Sequence, residues 1–192
     1  MPARPLILAS SSPRRADLLR QAGIPFTLRL AEVDETPRPG EEPGALAERL
    51  ARAKAAAPSG LPSPALLIAA DTLVVVDGAV LGKPRDAADA MAMLRRLAGR
   101  AHEVITAVAL RAVPEESVTC ERTTSLVRFA PLSDRQIEWY VKTGEGADKA
   151  GAYALQGRGG LLVTAVEGSY TNVIGLPLDR LYPHLRRFGI LP

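Results

Sequence analysis

The sequence predicts an α/β protein: a mixed, twisted sheet with helices on both sides and two lobes around a cleft. Three observations point there. Short apolar runs bounded by Gly, Pro and Ser alternate with stretches of helical periodicity along the whole chain. Two long strand-like runs, joined by Pro114-Glu115-Glu116, stand side by side in the middle and add antiparallel pairing to that alternation. Of the 192 residues, 47% are apolar, enough for a sizeable core within a single domain, residues 1–192, whose two lobes share the cleft.

Pro5 to Ala9 reads as a short buried strand. Ser10 to Ser12 is a turn; Ser12 can cap the next helix, Pro13 suits its first position, and Gly23 ends it. Leu18, Leu19 and Ala22 supply that helix's apolar face. Pro25 to Leu30 is a second strand, followed by a polar, Pro-rich loop from Ala31 to Gly44 that carries Asp34 and Glu35. Ala45 to Ala57 is an Ala-rich helix, and Pro58 to Pro64 a loop. Ala65 to Val76 is strongly strand-like, and Asp77-Gly78 is a two-residue hairpin signal leading to a return strand that ends at Leu81. Gly82-Lys83-Pro84 turns the chain. Asp86 caps a helix that ends near Gly99. The two long strands run from His102 to Val113 and from Ser117 to Phe129. Ser133 and Gln136 form a capping box for a helix through Val141. Gly144 to Gly160 is a long Gly-rich segment, Leu161 to Val166 a strand, and Leu178 to Arg187 a closing helix.

Composition narrows the function. No run of about 18 apolar residues exists, so no transmembrane helix is expected. Met1 to Ala9 is too short and too soon interrupted for a secretory signal, which makes a cytoplasmic location the expectation. The single cysteine, Cys120, excludes an internal disulfide framework or CxxC metal site. The net charge of +3 comes from scattered basic residues interleaved with acidic ones, without the clustered stripe that a nucleic-acid surface needs. His102 and His184 are far apart, so a metal is expected to be held by carboxylates. Arginine is the default cation here; only Lys54, Lys83, Lys142 and Lys149 are lysines, and each can mark a place that requires a compact ammonium.

Five segments carry chemistry. In Ser10-Ser11-Ser12-Pro13-Arg14-Arg15 a strand feeds a helix start whose free N–H groups favour an anion. Two arginines in the first turn oppose the helix dipole, and a polyphosphate would offset that repulsion; a capped helix with solvated arginines is the alternative. Asp34 and Glu35 are carboxylates on a loop, able to reach a divalent metal or simply to be solvated. Asp71 lies at the polar end of an apolar strand, where a carboxylate is costly to bury without partners. It suits metal binding or base catalysis, or else it caps a turn or pairs with Lys83. Gly82-Lys83-Pro84 presents an ammonium on a stiffened turn, without the spacing of a P-loop. Asp148 to Gly157 is rich in small residues and ends on Gln156, whose amide can pair with a base edge.

Taken in order, LASSSPRR (8–15), VDET (33–36), AADT (69–72), GKP (82–84), DKAGAYALQG (148–157) and GSYTNVIGLPL (168–178) resemble the Maf family of nucleotide pyrophosphatases, from Leu6 to about Leu181. The resemblance implies a fold similar to that of the inosine triphosphate pyrophosphatases, a homodimer, and hydrolysis of nucleoside triphosphates to monophosphate and pyrophosphate with Mg²⁺ or Mn²⁺. It implies that Asp71 is the catalytic proton acceptor and that Glu35 is a second essential carboxylate, both near the metal. Ser10, Arg14, Arg15, Lys54 and Lys83 match the polar and basic residues around the phosphates, with Lys83 counted among the catalytic groups. One branch of the family prefers dTTP and UTP; another carries Trp, Gln and Glu at three places and prefers 7-methyl-GTP. This chain has Arg14, Thr72 and Gln156 there and resembles the dTTP/UTP branch, a nucleotide house-cleaning activity. A Gln amide matches the N3–H and O4 of uracil or thymine. Ala154-Leu155 replaces a frequent Gly-Ile pair, which leaves the fine preference open. The alternatives are a 7-methyl-GTP or CTP preference, or a non-catalytic nucleotide-binding regulator of septum formation and cell division.

Overall fold

The computed structural model describes residues 4–192. Among these, seven strands form one mixed sheet: β1 (Leu6–Ala9), β2 (Thr27–Arg29), β3 (Ala65–Val76), β4 (Ala79–Leu81), β5 (Ala101–Val113), β6 (Val118–Phe129) and β7 (Val163–Glu167). Their order is β2-β1-β3-β5-β6-β7, with β4 folded back on β3. β1 runs parallel to β2 and β3; every other pairing is antiparallel.

Alternation along the strands sorts the core onto two faces. Leu6 and Leu8 of β1, with Leu66, Ile68 and Ala70 of β3, meet α1 (Pro13–Gln21) and α6 (Leu178–Arg187) through Leu18, Leu19, Leu181 and Leu185. Ile7 and Ala9, with Ala65, Leu67 and Ala69, meet α2 (Pro43–Ala56) through Ala47, Ala51 and Ala55 on the opposite face. The small alanines let that helix lie close to the sheet. Further along the first face, Val74, Val76, Val104, Val127 and Phe129 pack on α3 (Ala87–Leu97) and α4 (Asp134–Lys142) through Leu94, Leu97, Ile137 and Tyr140. Two apolar clusters therefore share one face, and the polar pair Thr72 and Thr106, directly opposite each other on β3 and β5, lies between them. The expected fold class, a mixed α/β sheet with helices on both sides, is the one observed.

Most local signals act as expected. Asp77 and Gly78 both take positive φ, 51° and 72°, as the Asp-Gly hairpin requires. Asp86 accepts the Asp89 N–H at 2.8 Å, and Ser133 with Gln136 forms the full capping box. Ser12 differs. It stands at the start of α1, but its side chain makes no capping bond; its N–H instead donates to Ser10 Oγ at 3.1 Å. A short helix not read from the sequence, α5 (Tyr170–Ile174), follows β7 and is capped by Ser169. Its Asn172 is fully buried and donates to Val104 O and Ser125 Oγ, both at 2.9 Å, tying α5 to β5 and β6.

His102 on β5 is also buried, 2% exposed, with Nε2 2.8 Å from the Tyr153 hydroxyl and with Phe129 and Tyr153 edge-on around it. Burial lowers its pKa to about 4. An unfolded histidine titrates near 6.5, so between these values the unfolded chain binds more protons and stability falls as pH falls. The full effect is about 3 kcal/mol, or on the order of 10 °C in melting temperature, lost between pH 6.5 and 4. Thermal melts across that range are expected to show the loss in the native protein and a flatter profile in His102→Gln.

Candidate active site

The sheet topology opens a cleft at one place. β1 stops at Ala9, opposite Ala69, while β4 joins β3 only at Val74. Among the described residues, no strand covers that edge of β3 from Ala70 to Leu73, and the Ser10–Arg15 turn passes beside it. A cavity of about 400 Å³ lies here, at the carboxyl end of a parallel strand, where α/β sheets commonly bind ligands. Its lining includes Ser10, Arg14, Arg15, Glu35, Lys54, Asp71, Thr72, Lys83 and Gln156. The nine residues that the resemblance assigned to the site meet in this one cavity; Asp34, the other loop carboxylate, is not part of its lining.

The two arginines do different things there. Arg15 is buried at 9% exposure: Nε donates to Gly175 O at 2.8 Å, Nη1 to Ser10 Oγ at 3.2 Å and Nη2 to Thr72 Oγ1 at 3.0 Å. Three of its five N–H groups are thus held by the protein, leaving one on each Nη. Burial lowers its pKa to about 10, against the pull of Asp71 and Glu35 and with the push of Arg14. The chain of hydroxyls beyond it has one direction. Thr106 Oγ1 donates to Asn172 O at 3.0 Å, so it accepts from Thr72, 2.9 Å away, and Thr72 accepts from Arg15. The Thr72 hydroxyl is therefore committed to this frame. Arg14 is half-buried and faces the cavity; burial lowers its pKa while Asp148 opposes the shift.

On the other face, Lys54 of α2 joins the two carboxylates. Its Nζ lies 2.6 Å from Glu35 Oε1 and 2.7 Å from Asp71 Oδ1. Asp71 and Lys54 are largely buried, with side chains 9% and 12% exposed; Glu35 is open to solvent. Burial raises the Glu35 pKa, but the Lys54 ammonium, with Lys83 and Arg15 further off, outweighs it and holds the carboxyl below its usual range. Arg49 braces the loop that carries Glu35, donating to both oxygens of Glu41 and to Thr36 O at 3.0 Å. Asp34, the neighbouring carboxylate, turns away and accepts the Thr36 N–H at 2.9 Å.

The remaining wall comes from the Gly-rich segment. Gly151 takes φ 70°, and a Cβ there would meet Val74 Cγ1 at 2.9 Å, so only glycine fits. Its N–H donates to Gly82 O at 3.0 Å, fixing the turn that presents the exposed Lys83. Lys149 also lines the cavity, paired with Asp148; the sequence marked it only as one of four scarce lysines and assigned neither residue to the site. The scarcity of lysine was the available signal: three of the four lysines, Lys54, Lys83 and Lys149, stand in this cavity.

Glu35 and Asp71 each give one oxygen to the Lys54 ammonium, and their second oxygens are hard donors of the kind that Mg²⁺ or Mn²⁺ takes. Among the described residues no group of three or more His, Cys, Asp or Glu gathers to hold a metal. Phosphate oxygens and water would complete the coordination, as Mg²⁺ commonly requires. The cavity therefore combines two carboxylates and a ring of cations with a loop of small residues ending on an amide.

Comparison with known proteins identifies the family. The family model described as Maf-like protein matches residues 5–188. A relative from Symbiobacterium thermophilum named dTTP/UTP pyrophosphatase is 56% identical, covering 96% of this chain and 94% of its own. Relatives of the same name from an Anaeromyxobacter species and from Myxococcus xanthus are 52% and 49% identical; each match covers 96% of this chain and 89% or 93% of theirs. The chain belongs to the Maf family.

Proposed function

We propose that the protein hydrolyses dTTP and UTP to the monophosphate and pyrophosphate in a divalent-metal-dependent reaction, acting in the cytoplasm as a homodimer. One observation carries the reading: Lys54 holds Glu35 and Asp71 to a single point inside a cavity whose rim bears Arg14, Lys83, Lys149 and Gln156. Anion binding alone would not place two carboxylates among the phosphates. The names of relatives at 49–56% identity support the same substrate class.

In this mechanism Asp71 takes a proton from water as its oxygen bonds to the α-phosphorus. The bridge to the β-phosphate breaks, and pyrophosphate leaves with the bond's electron pair. Lys83 and Lys54 offset the charge that builds on it, each such donor being worth about a hundredfold or more in rate. Arg14 and the N–H groups at the start of α1 bind the phosphates, and Arg15 fixes that turn with its remaining N–H groups free to assist. The metal, when bound by Glu35 and Asp71, neutralises phosphate charge. Gln156 reads the base: no hydrogen bond engages its side chain among the described residues, so its amide is available for the N3–H and O4 of a uracil or thymine.

Incubation with a panel of nucleoside triphosphates and Mg²⁺ or Mn²⁺, with product identification, tests the reading. Monophosphate and pyrophosphate from UTP and dTTP are expected. A chelator is expected to stop the reaction and added Mg²⁺ or Mn²⁺ to restore it. Release of single phosphate, or no turnover of either nucleotide, sinks the proposal.

A further inference from the structure

The segment that bears Gln156 is anchored by buried Tyr153 before it and buried Leu162 after it, and hydrogen bonds hold the backbone between them. Glu145, just past the end of α4, accepts two of them. Its Oε2 accepts the Arg158 N–H at 2.9 Å and its Oε1 accepts the Gly159 N–H at 2.8 Å. The Tyr140 hydroxyl, from α4, donates to the same Oε1 at 3.1 Å and accepts the Ala154 N–H at 3.1 Å. One carboxylate and one phenol therefore grip the loop on both sides of Gln156. The fit is close: a Cβ on Gly157 would lie 2.6 Å from Glu145 Oε2, and one on Gly159 would lie 2.9 Å from the Tyr140 oxygen. Tyr140 itself is buried, 1% exposed, within the apolar cluster beside the cavity.

We infer that Glu145 is a positioning residue for base recognition: with Tyr140 it sets where the Gln156 amide stands, without touching the nucleotide. The inference rests on the reading of Gln156 given above. Glu145 is absent from the cavity lining, and its carboxylate oxygens are occupied by the loop and by Tyr140. In Glu145→Gln the new amide can accept at one position but presents a second donor where an N–H already points. One side of the grip is lost and the loop shifts.

Steady-state hydrolysis of UTP tests this in the full-length protein. Glu145→Gln is expected to raise KM about tenfold, equivalent to about 1.4 kcal/mol of binding, while kcat stays within about twofold, because the phosphate end is untouched. In a Gln156→Ala background the same change is expected to add less than about twofold, since the group it positions is gone. Tyr140→Phe, which removes only the hydroxyl, is expected to move KM in the same direction and serves if Glu145→Gln does not fold. An unchanged KM, a fall in kcat alone, or full additivity with Gln156→Ala overturns the inference. If instead the native protein releases no pyrophosphate from UTP, the substrate reading has failed and not the grip.

Discussion

Asp71→Asn is expected to fold normally and to lose at least about a hundredfold in kcat. The substitution conserves size at a position that is 6% exposed in the open stretch of β3, so packing on α2 is preserved. The Asn oxygen still accepts from Lys54, which lies 2.7 Å from Asp71 Oδ1 in the native protein. What disappears is the negative charge and the proton acceptor. Lys83→Ala is the complementary test. That side chain is exposed and makes no hydrogen bond among the described residues, so its loss is expected to leave the fold intact and to remove only a cation lining the cavity. Melting temperatures within a few degrees of the native value, combined with near-complete loss of turnover in both variants, are the expected pattern. Turnover within about tenfold of native in both would refute the catalytic assignments.

Much of this site was legible because its residues follow short-range rules. The Ala65–Val76 strand is an apolar run broken only by the adjacent pair Asp71-Thr72, and Asp71 is its one acid. The Asp77-Gly78 turn and the caps at Asp86 and Ser133 are set by neighbours within four residues. Other parts depend on distant partners. The form of the 144–160 segment is imposed by Tyr140 and Glu145, with no periodicity to announce it. α5 is five residues long, too short to show a helical period, and it is held by the burial of Asn172 against β5 and β6. The edge left open between β1 and β4 follows from strand lengths that are fixed only when the sheet assembles. One signal was present and not used. Arg15 falls on the same helical stripe as Leu18, Leu19 and Ala22, three, four and seven residues on, whereas Arg14 does not. That spacing marks Arg15 as the inward arginine.

The different burial of the two arginines leads to an expected difference in stability. Arg15→Ala is expected to cost about 2–4 kcal/mol, lowering the melting temperature by on the order of 10 °C in a chain of this size. The loss strips a donor from Gly175 O, Ser10 Oγ and Thr72 Oγ1 at once. It also leaves a void between α1 and the residues that follow α5. The Thr72–Thr106–Asn172 relay loses the donor at its head, which leaves the Thr72 oxygen without the hydrogen bond it accepts. Arg15→Lys is expected to recover little of this. A single ammonium cannot point in three directions, and burying it dry is unfavourable. Arg14→Ala, by contrast, removes a half-buried side chain that faces the cavity, and is expected to weaken nucleotide binding with a shift of only a few degrees. Thermal denaturation of the three variants side by side, with KM for UTP measured on each, separates the two roles. Equal melting temperatures for Arg14→Ala and Arg15→Ala would mean that the buried guanidinium does not brace the turn at the start of α1, and that both arginines serve the nucleotide alone.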